Sequence, residues 1–335
     1  MRRVTHYALI FALLTTHAFN AIAQVPIVIK FSHDVSATSP KGLAIQRLKE
    51  VSEKITHGRI RIDIYPSNTL FQDKDELEAL QLGAIQMSAP ALTKLSGLGL
   101  REFDVFELPY LFPDSNALHR ITQGPIGRDL FKKLDTKSIV GLGYWDSGFK
   151  DILSTKPLHQ PADLHGLKMQ GPPSKVIETQ IITLGAIPRL IPAADVMQSL
   201  RHGAIDAAEN VPSVFYDNKP DSSHNYLTLT EHGYIGYAIV VNKKFWDGLP
   251  AELRSQLTSA INETGNYANQ LARQKNDLDV AAMTASGKTT VIRLTAAQKA
   301  QWRQVLLPVQ TEMGTRIGKE LIDNINKTLQ EAQTH

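Results

Sequence analysis

From Val25 onward the apolar positions switch between a period of two and a period near 3.6, the periodicities of strands and amphipathic helices. "PIVIKFSH" predicts a strand, "PKGLAIQRLKEVSEKI" an amphipathic helix and "RIRIDIYP" a second, alternating strand. "DKDELEALQLG" predicts a short helix, with Asp73 and Glu76 at capping-box spacing and Gly83 as its stop. "AIQMSAP" then reads as a third strand. Such β–helix–β order calls for a parallel or mixed sheet covered by helices. After "SIVGLGYW" and "KDILST", Leu164 to Asn210 gives strand, helix, strand, helix, strand. "LQLGAIQMSAP" and "LRHGAIDAAEN" echo each other as a helix end, a glycine and a strand running into a polar loop. Two similar α/β domains opening on a shared crevice would produce that echo. The last third is mostly helical: a long helix from Pro250 with Gly265 inside it, a strand "TTVIRL", and a helix opened by the capping box "TAAQ", Thr295 to Gln298.

The start of the chain departs from this grammar. Arg2 and Arg3, the apolar "YALIFALL" and the small residues "AIA" before Gln24 have the layout of an export signal covering residues 1–23, cleaved after Ala23. No later apolar run is long enough for a membrane span, so the mature protein is expected to be exported and soluble. A length of 335 residues accommodates two domains, and 42% hydrophobic with 21% charged residues is ordinary for a globular chain. A formal charge of +3 without a basic stripe argues against nucleic acid as a partner. The absence of cysteine excludes a lipoprotein start, thiol nucleophiles, Cys-bearing zinc sites and disulfides.

The usual catalytic motifs are missing. There is no GxSxG elbow, HExxH, P-loop or EF-hand loop, and "GLGYWD" lacks the third glycine and the following helix of a dinucleotide loop. The eleven histidines have no metal-ligand spacing, and no metal, cofactor or enzymatic activity is expected. An exported hydrolase using His33, Asp34 and Asp146 would lack an activated nucleophile pair. Polar residues do collect at predicted strand ends: His33 and Asp34 after the first strand, Ala91 and Lys94 after the third, then Lys150, Gln170 and Asn210. Strand ends of open α/β sheets are where small molecules bind. Two lysines, two amides and one aspartate suit an oxygen-rich, anionic ligand rather than acid–base chemistry. Tyr144, Trp145, Phe215, Tyr216 and Tyr234 add aromatic surface, some of it expected to line the cleft.

"FSHDVSATSPKGLAIQRLKE", "ALQLGAIQMSAPALTKL", "VFELPYLFPD", "GLGYWDSGFK", "DLHGLKM", "LGAIPRLIPAADVMQSLRHGAIDAAEN" and "LTLTEHGYIGYAIVVNKKFWDGLP" occur in this order across nearly the whole mature chain. In this the sequence resembles the periplasmic solute receptors of TRAP transporters, the DctP type associated with C4-dicarboxylates. The resemblance implies a two-lobed α/β periplasmic-binding-protein fold. Its divisions are expected as residues 24–150 for lobe I, 151–234 for lobe II, and 235–335 for crossover strands and buttressing helices, part of which return to lobe I. It also implies a monomeric receptor that delivers an organic acid to small and large permease subunits driven by an ion gradient. A role as ligand sensor for a signalling partner would use the same fold and site. The ligand set it implies places Asn210 and Lys150 at matching positions, with a further position near Lys94. The family's carboxylate-binding arginine falls at Gln170, at the tip of "LKMQGPPSK". Three accommodations follow. Lys150, Lys94 or Lys41 takes the carboxylate, as of a hydroxy-, keto- or aromatic monocarboxylate; or the solute presents a neutral polar group to Gln170; or Arg189, expected at the far end of its strand, reaches in.

Overall fold

The computed structural model describes residues 25–72, 75–171, 174–218 and 225–332, so the expected export signal lies outside it. The alternating residues Ile27–Ser32 form strand β1, and Ile60–Tyr65 form β2 beside it in parallel. Helix α1 (Pro40–Ile55) links them; the Ser39 hydroxyl accepts the Gly42 N–H, and Pro40 occupies a first-turn position that needs no N–H partner. Helix α2 (Glu76–Leu82) stops on the left-handed Gly83. Its expected cap, Asp73, lies outside the described residues, and Asp75 precedes the helix without a side-chain cap. Strand β3 is only Met87–Ser88, parallel to β1. Helices α3 (Ser115–Thr122) and α4 (Pro125–Leu134) follow two 3-10 segments.

Strand β4 (Ile139–Ser154) is one 16-residue element where the sequence pattern shows two. Beyond it, β5 (Lys168–Gly171), α5 (Lys175–Thr183), β6 (Ile187–Leu190), α6 (Val196–Arg201) and β7 (Ala207–Asn210) keep the order expected from sequence. Then come α7 (Pro212–Asp217), β8 (Asn225–Asn242), α8 (Lys243–Gly248), α9 (Ala251–Ser286), β9 (Thr289–Arg293), α10 (Ala296–Ile317) and α11 (Lys319–Glu331). Pro250 sits just ahead of α9, and the Thr295–Gln298 capping box opens α10.

The strands form a mixed sheet in the order β2-β1-β3-β8-β4-β7-β5-β6, with β9 also on β8. β4 and β8 run antiparallel from Ile139↔Asn242 to Ser154↔Tyr226, and each serves both halves of the molecule. At one end β3 joins β8 through Val240 and Val241; at the other β7 joins β4 through Asp151 to Ser154. Two such strands, about 53 and 59 Å long at ~3.3 Å per residue, tie two α/β halves into one two-lobed frame. The divisions 150/151 and 234/235 fall inside β4 and β8.

Apolar cores lie on both faces. Ile29, Phe31, Leu48, Trp145, Leu257 and Ile261 pack between the sheet and α1 with α9. Phe103, Phe106, Ile152, Met169, Trp302 and Leu306 fill the larger core opposite, and Leu153, Phe215, Leu227 and Met283 a third. The 36 residues of α9 span about 54 Å. They pack on α1 and β4 in the first half and on α7 and β9 in the second. Among the described residues no helix is long and apolar enough to cross a membrane.

Candidate functional site

Parallel β-strands end together, so the polar residues just past β1 and β3 converge. Lys41, in the first turn of α1, donates to the Asp34 carboxylate at 2.5 Å, and Lys94 reaches its other oxygen at 3.1 Å. The buried Lys41 ammonium also donates to the Ala89 carbonyl at 3.1 Å and stands 3.8 Å from the centre of the Tyr237 ring. Ala91 bridges the Tyr237 backbone, which closes the cluster onto β8. Burial pushes the Asp34 carboxyl up, but the two ammonium groups outweigh it and hold the acid well below the usual carboxylate range. Burial, then Lys41, lowers His33 to about 4, so its imidazole is neutral near pH 7. Deeper still, Glu76 is pushed up to about 7 by burial and then by Asp34.

The second cluster lies on β4, β7 and β5. Lys150 is 4% exposed and donates to Glu209 Oε1 at 2.5 Å. The other Glu209 oxygen receives Gln180 Nε2 at 2.6 Å and bonds His232 Nε2 at 2.9 Å. His232 Nδ1 meets the Thr230 hydroxyl at 2.7 Å, and burial lowers the pKa of the ring. Burial opposes the charge on Glu209, yet Lys150 and then His232 outweigh it and keep the carboxyl well below its ordinary range. Gln170, 8% exposed at the end of β5, donates to the Ile191 carbonyl at 3.3 Å. Asn210, opposite Asp151 in the β4–β7 register, accepts the Val211 N–H at 2.9 Å.

Strand β8 passes beside both clusters. Tyr237 belongs to the first, and Gly233, the register partner of Lys150, to the second. Four strand residues separate them by about 13 Å. Between them stands the Asp146–Gly148 bulge of β4.

Several expected residues sit differently. Trp145 does not face the strand-end clusters: alternation along β4 turns it into the core beneath α1 and α9, where it is 1% exposed. Tyr234 is buried as well, its hydroxyl donating to Asp146 Oδ1 at 2.7 Å. Lys150 reaches the site, but its ammonium is engaged by Glu209. Arg189 is not at the far end of its strand; the parallel register sets it level with Gln170, one strand further out, with an exposed side chain. The corner after Gln170 has an acid beside it. Ser174, the N-cap of α5, donates to the Glu107 carboxyl, which burial pushes up to about 7 despite the nearby Lys150. Pro172 and Pro173 of that corner lie outside the described residues.

Glu107, Gln180, Glu209 and His232 escaped the sequence reading as a group, because they come from four separate segments and share no motif. A carboxylate directly preceding Asn210 was the one visible hint. Among the described residues no set of three or more His, Asp or Glu side chains is placed to hold a metal ion. Of the acids in the two clusters, Asp34 and Glu209 are paired with lysines, and Glu107 accepts from Ser174.

The chain is similar to known solute-binding proteins. The family model DctP, "Bacterial extracellular solute-binding protein, family 7", matches residues 31–316. The C4-dicarboxylate-binding periplasmic protein DctP of Rhodobacter capsulatus is 46% identical over 302 residues, covering 90% of each chain. A TRAP periplasmic solute-binding protein from Shewanella oneidensis with bound succinate superposes with a TM-score of 0.84 at 34% identity, covering 91% of this chain and 100% of the other. A more distant one from Ralstonia eutropha H16, with bound (S)-2-acetolactate, gives 0.83 at 27% identity, covering 91% and 99%.

Proposed function

The chain belongs to the DctP family of bacterial extracellular solute-binding proteins, the receptors of TRAP transporters, and from that premise we propose that it captures a small hydroxy- or keto-monocarboxylate between its lobes. The observation that carries this reading is the chemistry of the second cluster. Its one ammonium, Lys150, is neutralised by Glu209, and the strand tips beside it offer the neutral amides Gln170 and Asn210. A ligand carboxylate is therefore received by the Lys41–Asp34–Lys94 cluster. Once the lobes close on the solute, its hydroxyl or keto oxygens meet the amides. A second carboxylate would face groups that donate hydrogen bonds without a compensating charge, a disadvantage of about 1–2 kcal/mol. A relative of this fold that holds 2-acetolactate supports the reading.

Solute contacts both clusters only when the lobes approach, so binding shifts the population toward a closed form. That form docks on the small and large permease subunits. Residues 1–23 act as the export signal that brings the receptor to the periplasm as a monomer.

Thermal denaturation with a panel of acids tests the ligand class. Lactate, pyruvate and 2-acetolactate should raise the melting temperature in proportion to the logarithm of their concentration, and more than succinate or L-malate at equal concentration. Stabilisation by the dicarboxylates alone, or by neutral polyols alone, refutes the monocarboxylate assignment.

A further inference from the structure

We infer that Glu76 sets the affinity of the receptor: its buried carboxyl takes up a proton as a ligand carboxylate binds at the Lys41–Asp34–Lys94 cluster, so that capture weakens in alkaline solution. This coupling rests on the reading that the first cluster receives the carboxylate. Glu76 opens α2 and turns inward at the ends of β1 and β3, where it is 2% exposed. Ser32 and Ser88, register partners in the β1–β3 pair, face it with their hydroxyls. Glu76 Oε1, Ser32 Oγ and Ser88 Oγ are all buried, and none has a hydrogen-bond partner elsewhere.

Among the described residues no Lys or Arg forms an ion pair with Glu76. Lys41 is committed to Asp34 Oδ1, the Ala89 carbonyl and the Tyr237 ring, and Lys94 reaches Asp34 Oδ2. Burial acts most strongly on the Glu76 carboxyl, Asp34 repels a charge there, and Lys41 attracts it less. The remaining neighbours add little. His33, past β1, is neutral near pH 7, Tyr65 of β2 is the register partner of Ser32, and Asp75 and Glu78 of α2 are exposed to solvent. A buried carboxylate without a cation of its own is the costlier form, so the proton stays on Glu76 up to about pH 7.

Lys41, Lys94 and Asp34 together carry one net positive charge, which an ionised Glu76 cancels and a neutral Glu76 leaves in place. A ligand carboxylate arriving at the cluster adds a negative charge that an ionised Glu76 repels through the protein, with no contact between the two. Uptake of one proton from solution by Glu76 removes that repulsion. By linkage, the ligand raises the Glu76 pKa by the same factor by which protonation raises the ligand's affinity. The sign follows. Below the free-protein value near 7 the carboxyl is already neutral, and affinity is level. Above it each capture must draw a proton from solution, and affinity declines until the bound form ionises as well. At an effective dielectric near ~20, a charge about 10 Å away shifts such an equilibrium about tenfold.

The test uses the full mature protein with pyruvate as the probe. Its affinity, read by calorimetry, should be level up to about pH 6.5 and fall about five- to tenfold by about pH 9. Titrations at about pH 7.5 in buffers of different ionisation enthalpy should show uptake of about half a proton per ligand. Glu76→Gln, which mimics the neutral acid, should keep the acid-side affinity at every pH and abolish the proton uptake. With 13C at the glutamate carboxyls, the signal missing from that variant should titrate near pH 7 in free protein and about one unit higher with pyruvate. Glu76→Met serves in its place if the glutamine variant does not fold. Glu107, pushed up to about 7 beside the second cluster, titrates in the same range. A pH dependence that survives in Glu76→Gln belongs to Glu107 and overturns the proposal. So does an affinity that stays level to about pH 9, or a Glu76 carboxyl already ionised by about pH 5.5 in free protein. Failure of pyruvate to bind at any pH refutes the monocarboxylate reading instead. Succinate then takes its place in the carboxyl titration, and a Glu76 signal that it does not shift overturns the coupling.

Discussion

Replacing Lys150 by methionine keeps most of the side-chain volume and removes one charge from a closed network. The side chains of Lys150 and Glu209 are 5% and 4% exposed and that of His232 is fully buried, so solvent screens the pair very little. Removing one partner of a buried ion pair costs about 3–5 kcal/mol, chiefly because the other charge is left uncompensated. Here Gln180 and His232 still hold the Glu209 oxygens at 2.6 and 2.9 Å, which places the expected loss near the lower limit, about 3 kcal/mol at pH 7. The loss has a sign in pH. In the native protein the depressed Glu209 pKa contributes stability above the ordinary glutamate value and loses it as pH falls through the folded value. In Lys150→Met burial is opposed by His232 and the Gln180 hydrogen bond alone, and the Glu209–His232 pair takes up one proton, on whichever member. The folded-state pKa is then raised, so stability is retained below the unfolded value and declines by up to about 1.4 kcal/mol per pH unit above it. Urea denaturation at several pH values between about 5 and 8 should show the gap between the two proteins narrowing toward acid. Lys150→Met/Glu209→Gln should recover much of the loss. A deficit below about 1 kcal/mol, or one that does not change with pH, refutes this account of the network.

Gln170→Arg places a guanidinium where the second cluster has a neutral amide. Calorimetry should show succinate affinity rising about 10- to 150-fold, the equivalent of a charge-assisted bond of ~1.5–3 kcal/mol, and unchanged affinity would remove Gln170 from the site. His119 Nε2 bonds Asp146 Oδ2 at 2.7 Å, and that hydrogen bond raises the histidine pKa. Its contribution is present below the ordinary histidine value near 6.5 and lost as pH rises through the folded value. Because the ring is partly exposed, the native protein should lose a few tenths to about 1 kcal/mol over that window relative to His119→Gln, read from melting curves. Gly148, at the β4 bulge, has φ 139° and a backbone so close to α9 that a Cβ would lie 2.6 Å from Asn276 Nδ2. Gly148→Ala should cost about 1–3 kcal/mol in denaturant titrations without changing the secondary structure seen by circular dichroism.

Much of this architecture was legible in the chain because it is written in local periodicity. Helix α1 falls where the 3.6-residue pattern places it, the α10 capping box forms as spelled, and the strand–helix alternation from Leu164 to Asn210 is present. Where the strands end was also legible, since alternation and turn residues mark where strands stop and sheet topology makes those stops coincide. Short-range pattern could not show that "SIVGLGYW" and "KDILST" are one strand, because three bulges interrupt the period along β4. Nor could it tell which way Trp145 faces. A bulge adds one residue to one strand and so exchanges the two faces beyond it, and an expected cleft residue is buried in the core beneath α1 and α9. The charge balance of the site was equally hidden. Lysines and amides at strand tips can be counted in the sequence, but Glu209 cancels Lys150 only because β7 lies against β4 in the register Ile152↔Glu209. Sequence alone determined that this chain builds two α/β lobes with polar strand ends and no catalytic constellation. The tertiary structure decided which of those polar groups are paired with an opposite charge, because the Coulomb energy that settles it depends on the distance between residues far apart in the chain.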